Sequence, residues 1–320
     1  MPFFLHRLLH AFLLLVGICL LNFFLFQFTP GDSSNLYFGA NTKQQNLEAL
    51  RQQMQLHLPW YAQLKIWSTR ALTGDLGVSW SKHRPVVEIL KEAIPATLQL
   101  ASLALLLNMI LGSLTGLIAG IFSERWSGKF LDFLSLTLYS VPAFCLSLLV
   151  IFVFSLKLQW LPAAGMRSFF AADTSFGGQI MDRIRHLILP AAVLGLTGAA
   201  ATSRYVRANV LEILNQNYIR MALAKGLSKP RVYLQHAFKN ALLPVVTLLG
   251  LYLPFLLSGA FIIEVIFAWP GMGRVAYEAI FARDYPLIMA VNFIAAAMVI
   301  FGNLLSDLFY QWADPRIQLN

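Results

Sequence analysis

Six long apolar stretches constrain the fold of this chain more than any other feature of its sequence. None contains Asp, Glu, Lys or Arg, and they cover residues 8–28, 98–122, 133–156, 187–203, 241–263 and 287–306. A helix needs about 20 apolar residues to cross a bilayer, and it satisfies its backbone polar groups internally. The sequence therefore predicts an all-α integral membrane protein with six transmembrane helices.

The composition agrees with this prediction and excludes one class of partner. Only 12% of the residues are charged, whereas a soluble domain carries about a quarter. The net charge of +9 comes from Lys and Arg beside the apolar stretches, where membrane orientation and anionic lipid explain it. We expect membrane lipid and no nucleic acid as a partner.

The first apolar stretch resembles a signal peptide in one respect, because Arg7 precedes it. Its apolar run is too long for a signal peptide, however, and no A-x-A cleavage site precedes Pro30. We therefore expect residues 1–28 to be a short N-terminal segment and a retained first span.

The Lys and Arg bias of the short loops predicts the orientation. The segment between the fourth and fifth spans holds seven basic residues and one acid, Glu212. This segment, residues 209–240 at its core, is therefore expected in the cytoplasm together with both termini. The same count places residues 29–97 outside as a subdomain and leaves residues 98–320 as the core membrane domain.

The long loop after the first span has the pattern of a folded cap. Residues 47–58 form a plausible helix, and residues 58–80 carry apolar and aromatic side chains at helical spacing. A Gly-Asp-Leu-Gly turn signal at 74–77 follows within that stretch. We expect a small folded external loop between the first two spans.

The basic segment is predicted to form two helices with a turn. Arg231, Gln235 and Lys239 are spaced at i, i+4 and i+8, so they share one helix face. Gly226 and the Ser228-Lys229-Pro230 step separate this helix from the preceding one, with Ser228 as a candidate N-cap. The alternative interpretation is an amphipathic helix held on the membrane surface by anionic lipid.

The spacing of the small residues and the proline in this segment resembles a known motif. Ala222, three residues, Gly226, and later Leu243-Pro244 resemble the cytoplasmic coupling loop of membrane subunits of ABC importers. The stretch NYIRMALAKGLSKPRVYLQHAFKNALLP resembles the branch that handles dipeptides, oligopeptides and nickel. Further resemblances follow in chain order: FTPGD, GDLGVSW, PATLQL, WLPAAG, RHLILP, EVIFAWPGMG, RDY and DPR. Arg220 occupies a position where the general importer motif has Glu.

This resemblance implies a type I ABC importer-like permease fold in a bacterial inner membrane. It implies a second permease subunit in a heterodimer, two cytoplasmic ATP-binding subunits and an external solute-binding protein. The chain has no G-x-x-x-x-G-K-[ST] phosphate loop, so we expect no enzyme activity or cofactor in this subunit. A membrane hydrolase is disfavoured because neither H-E-x-x-H nor a nucleophilic serine motif occurs.

The resemblance also implies which residues couple transport to ATP hydrolysis. They are Ala222, Lys225, Gly226, Arg231 and Pro244. Gly226 would permit a tight turn or a close approach, and Ala222 would keep the contact surface small. Closure of the ATPase would push this segment as a rigid body.

Glu264 is the candidate for the transport pathway or its gate, because an acid near membrane depth is a functional candidate by default. The alternative interpretation is an interfacial carboxylate bonded to loop backbone. A second set of residues shares a small side chain at every fourth position of the second span, which favours helix packing over a role in lining the pathway. This set is Gly112, Gly116 and Gly120.

No metal site is expected, because His6 and His10 share a helix face but have no third ligand nearby. The predicted function is ATP-driven import of small peptides or peptide-like solutes. Nickel, polyamines or cationic peptides are alternative cargo for the same architecture. A membrane scaffold without a transport pathway is the alternative of a different class.

Overall fold

The computed structural model of the chain describes residues 2–28, 57–168, 175–233, 238 and 260–313. Helices form all of the regular elements in these ranges, apart from a single bridge between Val78 and Pro85. The helices are α1 (Pro2–Phe28), α2 (Trp60–Leu72), α3 (Val86–Ile121), α4 (Trp126–Ser140), α5 (Ala143–Val150), α6 (Phe176–Leu214), α7 (Asn217–Ala224), α8 (Lys229–Val232), α9 (Met272–Phe281) and α10 (Tyr285–Ala313). A π-helical stretch, Ile151–Lys157, continues α5.

Four helices of the described chain are long and apolar enough to cross a membrane, or five if one bent pair counts as a span. Two of them contain the apolar windows Leu9–Phe26 and Tyr285–Leu304, and the other two are α3 and α6. The fifth predicted span, 241–263, falls largely outside the described residues, as does the helix predicted at 47–58.

The third predicted span, 133–156, is not one continuous helix. α4 ends at Ser140, and the helix that follows it is bent by 104° from its direction. Val141 is extended, with φ −79° and ψ 124°, and Pro142 follows it. Proline lacks the N–H that a helix needs and disfavours helical backbone in the residue before it. An apolar run alone does not reveal this break.

Two of the spanning helices extend well beyond the predicted apolar stretches. α3 begins at Val86, before the predicted start at residue 98. α6 continues past Arg204 to Leu214 and has 39 residues. At about 1.5 Å per residue α6 is longer than the roughly 30 Å apolar core of a bilayer. Its C-terminal end, which carries Arg207 and Glu212, therefore extends out of the apolar layer.

The chain divides into two compact units. The first comprises Met1–Ala96 and Pro270–Ile300, and the second comprises Thr97–Trp269 and Phe301–Asn320. In the first unit the amide of Asn292 donates to the side-chain oxygen of Asn22 at 2.8 Å, which joins α10 to α1. In the second unit α3 and α4 both pack on α6. The predicted division into 29–97 and 98–320 stays a prediction.

Candidate functional site

The predicted coupling segment consists of two short helices joined by a turn. α7 ends at Ala224 and α8 begins at Lys229, with Gly226 between them at φ +83°. Pro230 lies in the first turn of α8, where its missing N–H is harmless. Ser228 occupies the N-cap position of α8, but its side chain makes no capping hydrogen bond.

Two backbone hydrogen bonds close this turn. The N–H of Leu227 donates to the carbonyl of Ala222 at 3.3 Å, and the N–H of Gly226 donates to the carbonyl of Leu223 at 3.0 Å. This pair is a Schellman motif, in which the residue at the Gly226 position adopts a left-handed conformation. The motif accounts for the spacing of Ala222 and Gly226, because they are its first acceptor and its left-handed residue.

The inner side of the segment is a small apolar cluster. Ile219, Ala222 and Val232 are buried in it. Partly buried side chains surround them: Ile213, Leu214 and Leu227. Ala222 is only 9% exposed, so its methyl group packs against the chain itself, and its predicted coupling role stays a prediction.

The requirement for glycine at position 226 comes from its backbone conformation. A Cβ added there would meet no described atom of this chain within 4 Å. Within the described part of the chain, therefore, nothing makes the close approach to Gly226 that the sequence suggested. A positive φ of this size is strained for other L residues.

The outer side of the segment combines exposed apolar residues with basic ones. Met221 is 55% exposed, and Tyr218 and Leu223 are also exposed. Lys225, Lys229 and Arg231 are exposed beside them. Sequence reasoning identified the basic residues and missed the apolar ones, which alternate along α7 with buried Ile219 and Ala222. Pro244 lies outside the described residues.

The three glycines of α3 lie against α6. A Cβ at Gly112 would lie 2.6 Å from the Cβ of Thr202, and one at Gly116 would lie 2.5 Å from the carbonyl oxygen of Ser203. A Cβ at Gly120 would lie 2.7 Å from a methyl group of Val210. The glycine stripe therefore allows the two helices to approach more closely than any side chain would permit.

Glu264 is fully buried and hydrogen-bonded. Its carboxylate accepts a hydrogen bond from the hydroxyl of Thr97 at 2.6 Å, and its carbonyl accepts one from the N–H of Trp269 at 2.8 Å. Thr97 is itself buried. The side chain thus bonds a helix hydroxyl. Its predicted pathway or gate role stays a prediction.

A buried carboxylate that sequence reasoning did not identify joins two distant parts of the first unit. Asp284 accepts hydrogen bonds from the hydroxyl of Ser79 at 2.6 Å and from both the N–H and the hydroxyl of Ser81. Its other oxygen accepts from the N–H of Leu287 at 3.2 Å, at the start of α10. The RDY motif therefore anchors the loop that follows GDLG.

An ion-pair network lies close to this anchor. Glu278 accepts from the Nζ of Lys82 and from the Nε of Arg274, each at 2.8 Å. Burial raises the pKa of the Glu278 carboxyl, but the hydrogen bonds and positive charges of Lys82 and Arg274 outweigh burial and hold that pKa below its ordinary value. The network fixes α9 to the loop that contains Lys82.

The described part of the chain contains no cluster of three or more His, Cys, Asp or Glu side chains that could hold a metal ion. The donor set available in the candidate site is therefore backbone amides, hydroxyls, carboxylates and cations. These groups can hold a folded segment, accept a protein partner or bind an ionic solute.

Comparisons with known proteins match the chain almost from end to end. The sequence model of binding-protein-dependent transport system inner membrane components matches residues 112–319. The N-terminal model of binding-protein-dependent transport system membrane components matches residues 1–101. Together these matches include the coupling segment and the long loop after the first span.

Two relatives and one solved structure illustrate the similarity. The oligopeptide transport system permease protein AppB of Bacillus subtilis (strain 168) is 38% identical over 317 residues, covering 98% of each chain. The glutathione transport system permease protein GsiC of Escherichia coli (strain K12) is 35% identical over 312 residues, covering 98% of this chain and 97% of that protein. A chain of the inward-facing MetNI methionine ABC transporter aligns with a TM-score of 0.58 and 13% identity, covering 71% of this chain and 97% of that one.

At 13% identity the solved structure shows a shared fold alone, that of a chain from an ABC transporter. The two relatives and the family models extend this similarity to the sequence over nearly the full length. The chain therefore belongs to the family of binding-protein-dependent transport system inner membrane components, and it is an integral protein of the inner membrane.

Proposed function

We propose that this chain is the membrane-spanning permease subunit of an ATP-driven transporter that imports small peptides or peptide-like solutes. The observation that carries the proposal is the near full-length similarity to permeases named for oligopeptide and glutathione transport. Both cargoes are short chains with amide bonds and at least one carboxylate.

The proposed assembly contains four further subunits. A second, non-identical permease completes the pathway, two ATP-binding subunits lie in the cytoplasm, and a solute-binding protein delivers cargo from outside. The structure supports an ATPase contact at the outer side of α7 and α8, where Met221 and Leu223 are exposed beside Lys225. An apolar centre with a charged rim is typical of protein interfaces.

The proposed topology has six transmembrane helices, cytoplasmic termini and an external folded loop within residues 29–97. It places α7 and α8 on the cytoplasmic side, so that movement of the ATPase reaches α6 directly through Asn215 and Gln216. Rigid-body motion of this segment would then switch the pathway between its two openings.

Co-purification and stimulation of ATP hydrolysis test the proposal. The tagged chain is expressed with its genomic neighbours, purified in mild detergent and assayed with the binding protein and three cargo sets: dipeptides, nickel and polyamines. Co-purification of an ATPase whose activity rises with dipeptides supports the proposal. Stimulation by nickel or polyamines alone would assign the alternative cargo, and absence of any ATPase after crosslinking at Lys225 or Lys229 would favour a scaffold.

A further inference from the structure

A cation and an aromatic ring meet where α6 passes α4. The guanidinium carbon of Arg204 lies 5.2 Å from the ring centroid of Tyr139. Both side chains are exposed in this chain, Tyr139 by 57%. A cation over an aromatic face is held by the quadrupole of the ring, so Tyr139 gives the Arg204 side chain a defined position.

The contacts between α4 and α6 fix the position of this pair along the two helices. The hydroxyl of Ser135 donates to that of Ser203 at 3.2 Å, between two buried residues. Arg207 lies 3.5 Å from Asp132, at the charged end of α4. Tyr139 is four residues beyond Ser135, or about 6 Å further from that end.

The side chain of Arg204 therefore reaches into the apolar stretch. Helical side chains tilt toward the N-terminus of their helix, which for α6 is the direction away from Arg207 and Asp132. The contact with Tyr139 shows the same direction. A lysine or arginine that snorkels would extend the opposite way, toward the charged end.

Arg204 differs from its neighbour Arg207 in its charge balance. Arg207 has Asp132 as its ion-pair partner, whereas no carboxylate among residues 2–28, 57–168, 175–233 and 260–313 pairs with Arg204. A cation that faces lipid within the apolar layer is costly. Such residues generally face a water-filled cavity or another protein group.

The backbone beside the pair is irregular. Tyr139 lies in the last turn of α4, directly before the break at Val141 and Pro142. Ser140 and Pro142 are exposed in this chain. Irregular backbone at membrane depth is tolerated only where protein buries it or where it lines a water-filled cavity, and broken helices of transporters commonly form binding sites.

We propose that Arg204, held by Tyr139, binds the terminal carboxylate of the peptide as it crosses the membrane. This inference rests on the proposed function and adds a recognition site within the pathway. A guanidinium binds a carboxylate through two parallel hydrogen bonds, and the hydroxyl of Tyr139 is a further donor. The site selects cargo that carries a carboxylate and disfavours free metal cations and polyamines.

Uptake into proteoliposomes tests this site in the complete complex with its binding protein. Dialanine and its C-terminal amide are compared in wild type and in Arg204→Gln. We expect Arg204→Gln to lower dialanine uptake about tenfold, the order expected for a lost hydrogen bond to a charged group, and to lower the acid-to-amide ratio by the same factor. Any preference of the binding protein for the acid or the amide cancels from this comparison, because both variants are assayed with the same binding protein.

Two variants serve as matched controls. Arg204→Lys keeps the charge but loses the two-donor geometry. It should therefore lower dialanine uptake by no more than about threefold. Arg125 also lies 5.2 Å from a ring, that of Phe122, but in the turn between α3 and α4. Arg125→Gln leaves dialanine uptake unchanged. The order of dialanine uptake among Arg204→Gln, Arg204→Lys and Arg125→Gln can be measured even if the wild type transports no amide.

Three results would overturn the site. The first is equal loss for dialanine and its amide, as expected if Arg204 pairs with a carboxylate of the second permease. The second is a loss that appears in phosphatidylglycerol vesicles and vanishes in phosphatidylcholine, which assigns Arg204 to lipid phosphate. The third is equal loss in Arg204→Gln and Arg125→Gln. A wild-type complex that transports no peptide instead contradicts the proposed function.

Discussion

The N–H of Leu227 donates a hydrogen bond to the carbonyl of Ala222 across the turn at Gly226. This bond fixes the end of α7, and the side chain of Leu227 then packs on the cluster of Ile219, Ala222 and Val232. Backbone and side chains thus hold two short helices as one unit. A rigid unit of this kind can transmit a displacement, whereas a flexible loop would absorb it.

Gly226→Arg is expected to leave the protein inserted in the membrane and to abolish cargo-stimulated ATP hydrolysis. The left-handed backbone costs an L residue about 1–2 kcal/mol, and the long side chain would stand on the proposed partner surface. Gly226→Asn should retain much of the coupling, because Asn tolerates this conformation.

Gly74→Arg provides the matched control for that variant. Gly74 has φ +81° and no described atom within 4 Å of an added Cβ, so the local strain is similar while the location differs. Stimulated ATPase activity should stay close to wild type in Gly74→Arg. Normal stimulation in Gly226→Arg would contradict the coupling assignment.

Met221→Glu should weaken association with the ATP-binding subunits, because it places a charge in the apolar part of the proposed interface. The measurement is the amount of ATPase retained on the tagged chain after washing. Met181 is 54% exposed, nearly the same as Met221 at 55%. It lies near the N-terminal end of α6, whereas α7 follows the C-terminal end. Met181→Glu should retain the ATPase, and equal retention in both variants would argue against the interface.

Gly116→Ala should destabilise the second unit by about 1–3 kcal/mol, the usual cost of overpacking. The added Cβ would lie 2.5 Å from a backbone oxygen of Ser203, so α3 and α6 must move apart. Gly17→Ala is the control, since nothing lies within 4 Å of its added Cβ. Thermal unfolding in detergent should show a lower midpoint for Gly116→Ala alone, and equal midpoints would contradict the packing role.

The ion pairs of Glu278 predict a dependence of stability on pH. Its pKa is lower in the folded protein than in the unfolded chain, so the carboxylate stabilises the fold above the unfolded value of about 4.3. That contribution is lost as the pH falls through the folded pKa. Because more than a third of the side chain is exposed, the effect should be at most about 1 kcal/mol.

Comparison of wild type with Glu278→Gln measures this contribution. The difference in unfolding midpoint should be largest near neutral pH and should shrink once the pH falls below the ordinary range of a Glu carboxyl. Lys82→Gln should reproduce part of it, because Lys82 is one of the two cations. A difference that stays constant from neutral to acidic pH would contradict the ion-pair account.

Thr97→Val should lower the stability of the second unit by about 1–3 kcal/mol, the cost of leaving a buried polar atom without its hydrogen-bond partner. It removes the hydroxyl that donates to buried Glu264 at almost unchanged volume. Thr69→Val, at an exposed position of α2, is the control and should change stability little. If Thr97→Val unfolds at the same temperature as wild type, the bond to Glu264 contributes nothing to the fold.

Local patterns in the sequence predicted the all-helical class, four of the apolar helices and the glycine stripe. The spacing of Gly112, Gly116 and Gly120 is a property of one helix, and it indicates close packing whatever the partner is. The basic residues Lys225, Lys229 and Arg231 were equally readable, whereas Gln235 and Lys239 of the predicted basic face lie outside the described residues. Each of these features depends on neighbours within a few turns of the chain.

Features set by distant contacts were not predictable in the same way. Asp284 is bonded to Ser79 across 205 positions of the chain, and nothing in either local sequence specifies the other. The burial of Ala222 depends on Val232, beyond the turn. The break at Val141 was missed because the residues on both sides are apolar. Hydropathy therefore stays high across a point where the helix ends.

ATP-driven uptake of a labelled dipeptide into proteoliposomes tests the central claim most directly. The vesicles contain this chain with its partner permease and ATPase subunits, and the binding protein is added outside. We predict accumulation that requires hydrolysable ATP and the binding protein and that is lost in Gly226→Arg. Accumulation of nickel or polyamine without dipeptide, or dipeptide uptake that is unchanged in Gly226→Arg, would contradict it.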